Sequence, residues 1–225
     1  MTRPQESVSY NARQVQDLKR VVAQGEGLHL EFKRKAAFPE KIVREMIAFA
    51  NTKGGVLLVG IADDKTIPGL KYPEDESHVI REALKKCKPA LQFKETFIAV
   101  GNARTVIQYN IPESKRKPHY QIIGLGKESY VRVHDQSIRA SKEMREIARR
   151  DQRKKDIRFH YGEHEKFLVQ YLTENPDITL SKFIELRKLK RFDASKKLVL
   201  LVLADVLLIA PHEKGDRFSL AFGKD

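Results

Sequence analysis

The chain has 225 residues, a formal net charge of +13, one cysteine and no tryptophan. That length can bury one sizeable core or two small ones, and the excess of cations favours a polyanionic partner, nucleic acid above all. The lone Cys87 excludes an internal disulfide framework and a cysteine-rich zinc site. No charged-then-apolar leader opens the sequence and no apolar stretch approaches the ~20 residues a bilayer helix needs, so a cytoplasmic protein without a membrane partner is expected.

Residues 1–17 are expected to form a flexible N-terminus, with Val15, Leu18, Val21 and Val22 at helical spacing leading into the first domain. Leu28, Leu30 and Phe32 alternate with His29, Glu31 and Lys33, which predicts a half-buried strand showing the three polar side chains on one face. Pro39 then suits a first helical turn, and Ile42, Met46, Ile47 and Ala50 set an amphipathic helix. Asn51-Thr52-Lys53-Gly54-Gly55 reads as a turn, Val56 to Ile61 as a buried strand, and Asp63-Asp64 as its end. Ser77 to Cys87 is predicted helical with Val79, Ile80 and Leu84 inward. Leu91–Val100 and Ala103–Ile111 form a predicted hairpin around Gly101-Asn102. A basic loop from Pro112 to Pro118, a strand from Ser129 to Val133 and a helix from Ser141 to Arg150 complete this part.

The run from Arg149 to Arg158 is dense in charge and poor in apolar residues, which places a domain boundary there. Beyond it, Phe167, Leu168, Tyr171 and Leu172 make one helical face, Thr179 caps a second helix, and Asp193 is expected to cap a third running to Asp205. Val206–Ala210 and Phe218–Phe222 read as two strands. Three helices and a hairpin are the layout of a winged helix-turn-helix domain. Its third helix offers little beyond Lys196 and Lys197 that could read base edges, so packing, backbone contacts or dimerisation suit it better than base reading.

The N-terminal part resembles the Schlafen AlbA-type nucleic-acid-binding domain. The residues that carry the resemblance are Glu26 five positions before Glu31, Glu31-Phe32-Lys33, Ile47 to Gly55, Val59-Gly60-Ile61-Ala62-Asp63-Asp64 and Pro68-Gly69. A weaker echo follows in Lys117-Pro118-His119-Tyr120 and Ser129 to Val133, with His134 where the family usually has glycine. The resemblance implies an α/β (α+β) mixed sheet packed with helices. The expected organisation is residues 18–150 for this domain, 151–162 for a basic linker and 163–225 for the winged helix.

By the same resemblance the chain is expected to be a bacterial nucleic-acid-binding protein, favouring DNA over RNA and regulating transcription. Phosphate contacts are expected from Lys33, Arg34, Lys35 and Lys53, then from Lys115, Arg116, Lys117, Arg132 and Arg139, with Lys196 and Lys197 from the C-terminal domain. No cofactor is expected under that reading. The first alternative is an endoribonuclease in which, as in active relatives, Glu26, Glu31 and Asp63 or Asp64 hold Mg2+ or Mn2+. Clustered carboxylate oxygens suit these ions, and Glu26 can join Glu31 only if Gly25 or Gly27 breaks the strand register. The second is an interaction module in which the apolar third helix forms a homodimer or partner surface. No phosphate-binding P-loop or dinucleotide fingerprint is present, and the seven histidines, His160 and His164 included, fall at no recognised zinc spacing.

Overall fold

The computed structural model describes residues 10–151 and 161–221. Nine residues of the expected loose terminus, most of the predicted linker and Phe222 lie outside these. The chain divides into two compact units, one running to Ser114 and including His119–Ser137, the other comprising Lys115–Pro118 and the chain from Ile138 onward.

In the first unit Asn11 caps α1 (Ala12–Gln24), its Oδ1 accepting from the amides of Arg13 and Gln14. The chain reverses through Gly25, at φ 80°, into β1 (Leu30–Lys33). Pro39 opens α2 (Pro39–Asn51), as its fixed φ and missing amide suit a first turn, and β2 (Gly55–Val59) returns parallel to β1. Then come α3 (Pro73–Leu84), β3 (Cys87–Lys88), β4 (Lys94–Gly101), β5 (Arg104–Ile111), β6 (Tyr120–Ile123), β7 (Gly126–Glu128), β8 (Tyr130–Val133) and β9 (Gln136–Arg139), whose last two residues, Ile138 and Arg139, belong to the second unit. The main sheet has the order β1-β2-β5-β4, antiparallel except for the β1–β2 pair.

Both faces of this sheet are covered. Val15, Leu18 and Val22 of α1 pack with Leu30, Phe32, Leu58, Ile98 and Val106, while Ile42, Met46 and Phe49 of α2 pack with Leu57, Val59, Ile107 and Tyr109. Each such side chain contributes roughly 1.5–3 kcal/mol by leaving water. The alternation in β1 therefore gives no solvent face: Glu31 is only 6% exposed. Further departures from the sequence reading are local. Helix α3 starts at Pro73, leaving Val79 exposed, and the β4–β5 turn is made by Asn102 and Ala103, both left-handed at φ 50° and 51°. Sheets β3-β6-β7 and β8-β9 include short strands that the sequence reading did not predict.

The second unit contains α4 (Lys142–Asp151), α5 (Glu163–Glu174), β10 (Ile178–Thr179), α6 (Leu180–Arg187), α7 (Arg191–Leu203), β11 (Leu207–Ala210) and β12 (Arg217–Leu220). The strands form an antiparallel sheet in the order β10-β12-β11. Leu168, Phe183, Ala194, Leu198, Leu201, Leu207 and Phe218 make its core. Thr179 caps α6, its hydroxyl accepting from the amide of Lys182 at 3.2 Å. Helix α7 begins earlier than expected, with Lys190 at the cap position and Asp193 inside the first turn, where its charge suits the helix dipole.

Candidate nucleic-acid interface

The Asn51–Gly55 turn is a joint rather than an open cradle. Asn51 is buried at the end of α2, and its Nδ2 donates to the carbonyls of His119 (3.2 Å) and Tyr130 (2.9 Å) and to Ser129 Oγ (3.1 Å). Its Oδ1 accepts from the His119 amide at 2.8 Å. Thr52 Oγ1 accepts from the amide of Arg132 at 2.9 Å. Gly54, at φ 73°, is buried, and a Cβ there would lie 2.8 Å from the Ile111 carbonyl oxygen and the Glu113 nitrogen; a Cβ on Gly55 would overlap the Phe49 ring. The two glycines thus permit close packing, and Lys53 is the turn's one exposed residue.

Arg132, expected among the phosphate contacts, is instead 3% exposed and serves as an internal cation. Its Nη2 donates to Glu31 Oε2 at 2.6 Å and to the Gly27 and Leu30 carbonyls, its Nη1 to Glu45 Oε2 at 2.7 Å and Ser137 Oγ at 3.3 Å, and its Nε to the Gly27 carbonyl at 3.1 Å. Lys33, half-buried, pairs with the other oxygen of Glu31. Ser137 Oγ donates to Glu45. The left-handed Gly25 and the Gly27–Leu30 bridge do break the register, so Glu26 reaches β1 and its Oε1 accepts from the Phe32 amide at 2.8 Å.

Three carboxylates, those of Glu26, Glu31 and Glu45, therefore interact with one another or with Arg132 and Lys33. This donor set does not fit a divalent cation. Both Glu31 oxygens are held by side-chain cations, and the guanidinium already supplies the positive charge between Glu31 and Glu45 that a metal would bring. Asp64 is exposed and bound into its own turn, accepting from the Thr66 amide and hydroxyl, hydrogen bonds that hold its carboxyl below the usual range. Among the described residues no group of three or more His, Cys, Asp or Glu is arranged to hold a metal ion.

Burial raises the Glu45 carboxyl above the ordinary glutamate range, against the lowering effect of the Ser137 hydrogen bond, and repulsion from Glu31 adds to the rise. A raised folded-state value means that the native chain binds more protons than the unfolded one. The contribution of Glu45 to stability is then full below the ordinary glutamate pKa and falls as pH rises through the raised value. Urea denaturation of wild type and Glu45→Gln should show their stability difference moving in favour of wild type on acidification from neutral pH towards the ordinary glutamate value. A difference constant over that window contradicts the assignment.

The remaining expected cations are scattered along the first unit and across the second. Arg34 and Lys35 are exposed just beyond β1, whereas Lys53 precedes β2, which runs parallel to β1; the two groups thus lie at opposite ends of the strand pair. With the five residues of β2 between them the separation along the strand is roughly 17 Å. Lys115, Arg116 and Arg139 are exposed and belong to the second unit, as does the half-buried Lys117. There Lys196 is exposed, but Lys197 is drawn into an ion pair with Glu165 at 2.6 Å. Ser195 of α7 donates to Glu143 of α4 at 2.5 Å, so α4 lies against the helix expected to approach nucleic acid. Of the apolar residues of α7 offered as a dimer surface, Leu198 and Leu201 sit in the core of the unit, Val199 and Leu203 are buried, and Leu200 and Val202 are half-buried.

Beside Gly55 lies a feature that the sequence reading missed. A groove of about 580 Å³ is lined by His29, Gly55, Val56, Gln92, Phe93, Lys94, Asn110, Ile111 and Pro112. The His29 Nδ1 donates to the Gly54 carbonyl at 3.0 Å. No local signal in the sequence joins residues from four separate segments, so pattern reading had no means of finding it.

The family model described as Schlafen, AlbA_2 matches residues 26–141. Two solved structures are similar. One is the DIP2311 protein from Corynebacterium diphtheriae, at 17% identity and a TM-score of 0.42, the match covering 63% of this chain and 29% of that one. The other is the N-terminal domain of a RecG-related protein from Nitrosomonas europaea, at 25% identity and a TM-score of 0.39, covering 52% of this chain and 86% of that one. No curated protein matches the sequence.

Proposed function

Because the chain belongs to the Schlafen AlbA_2 family, we propose that it binds nucleic acid, DNA in preference to RNA, and acts as a bacterial transcription regulator. The observation that carries this reading is the split among the basic residues of the first unit. Lys33 and Arg132 neutralise internal carboxylates, whereas Arg34, Lys35, Lys53 and Lys94 stand exposed at the two ends of the sheet on a chain of net charge +13. Cations that are not spent on internal pairing are those that can replace the counterions of a phosphate backbone.

The second unit is read as a winged helix, a reading supported by its helix order and by the β10-β12-β11 sheet. With Lys197 paired and α4 against α7, it suits backbone contacts through Arg191 and Lys196, and Lys115, Arg116 and Arg139 of the same unit add to them. No helix of the described residues is long and apolar enough to cross a membrane.

The test is fluorescence anisotropy with labelled duplex DNA, single strands and transfer RNA over a range of salt. Affinity should fall linearly on a log–log plot, by about one unit of slope per neutralised phosphate. Absence of binding to all three probes at low salt overturns the reading.

A further inference from the structure

We propose that the groove beside the glycine turn takes an unpaired nucleobase, so that the first unit binds single-stranded or locally opened nucleic acid through bases as well as phosphates. This rests on the nucleic-acid reading above. The groove lies at the end of the main sheet where β2 and β4 begin and β5 ends. Leu30, Val56, Asn110 and Lys94 form one cross-strand row, and residues directly opposite in a ladder share a face. Leu30 is buried with the α1 cluster, while Val56, Asn110 and Lys94 continue beyond it into the groove wall.

The lining has the components a base requires. The exposed His29 ring is held in place by its hydrogen bond to the Gly54 carbonyl, and Phe93, packed against the α2 cluster in edge contact with Tyr109 at 5.7 Å between centroids and 66° between planes, adds apolar lining. Since a carbonyl can only accept, His29 Nδ1 carries the proton and Nε2 is turned away from that bond. Asn110 is oriented as well, its Oδ1 accepting from Gln108 Nε2 at 3.1 Å, which leaves its amide hydrogens to donate to a base edge. Lys94 is exposed on the groove wall, where it can meet a flanking phosphate. The volume of about 580 Å³ falls within the usual range of small-ligand sites. Aromatic platforms flanked by cations are a general means of holding single strands, because every base has a π-face.

The experiment uses the full chain and four probes of equal length: single-stranded DNA, single-stranded RNA, an abasic DNA strand and duplex DNA. Wild type should bind one or both base-bearing single strands at least tenfold tighter than the abasic strand, and 2-aminopurine placed in that strand should be quenched on binding. His29→Ala and Asn110→Ala, one exposed and one at the groove wall, should each narrow the gap to less than threefold and reduce the quenching, with folding checked by circular dichroism. The DNA and RNA arms identify the source of the base. Equal affinity for base-bearing and abasic strands, or variants that keep the wild-type gap, overturns the pocket while leaving nucleic-acid binding standing. No binding to any probe overturns both.

Discussion

Replacing Arg132 by alanine should destabilise the first unit by about 3–5 kcal/mol, because it leaves Glu45 without its cation and Glu31 with Lys33 alone beside a hydrophobic core. The guanidinium also ties β8 to the Gly27 and Leu30 carbonyls and lies 5.0 Å from the Phe49 ring centroid, so the loss extends beyond two ion pairs. A surface arginine that touches only phosphate would behave differently: its removal would weaken binding and change stability by no more than about 0.5 kcal/mol. Chemical denaturation separates the two roles. Adding Glu31→Gln and Glu45→Gln to Arg132→Ala should recover part of the loss, since the burden in the single variant is the unpaired charge. A single variant as stable as wild type refutes the structural role.

Asn51→Ala should cost about 3–4 kcal/mol. One carboxamide satisfies a buried amide, two carbonyls and a hydroxyl, and each polar group left buried without a partner costs roughly 1–3 kcal/mol, although neighbouring water and relaxation recover part of the sum. Asn51→Asp should be worse than alanine, since a carboxylate oxygen would face the His119 and Tyr130 carbonyls where the amide donated. Hydrogen exchange should report the damage along β8, the strand that Asn51 and Thr52 hold against α2. Wild-type stability in Asn51→Ala would mean that the turn is not the joint described here.

Much of the fold was legible because periodicity and punctuation act locally. Val15, Leu18 and Val22 do turn inward on α1, Pro39 opens α2, and Thr179 caps α6. The charged site was legible only in part, because its pairings are long-range. Glu31 sits on the polar side of an alternating strand, the usual sign of a solvent face, yet its partner Arg132 lies 101 residues away and covers it. Glu45, on a helix whose spacing already made sense, gave no sign that it would share that cation. The double glycine invited a phosphate reading since glycine admits a close backbone approach; here the approaching groups are Phe49 and the backbone of Ile111 to Glu113. Lys190 in place of Asp193 at the α7 cap shows the limit of capping signals, as the helix begins where its core residue Ala194 needs it.

The central claim is that the basic residues of the first unit divide into those that neutralise the interior and those that meet phosphates. Its most direct test is the salt titration of binding for wild type and for the triple variant Arg34→Ala, Lys35→Ala, Lys53→Ala, all of whose positions are exposed. The log–log slope should become shallower by about two to three units, with stability changed by no more than about 1 kcal/mol. A variant with the wild-type slope and affinity would contradict the division.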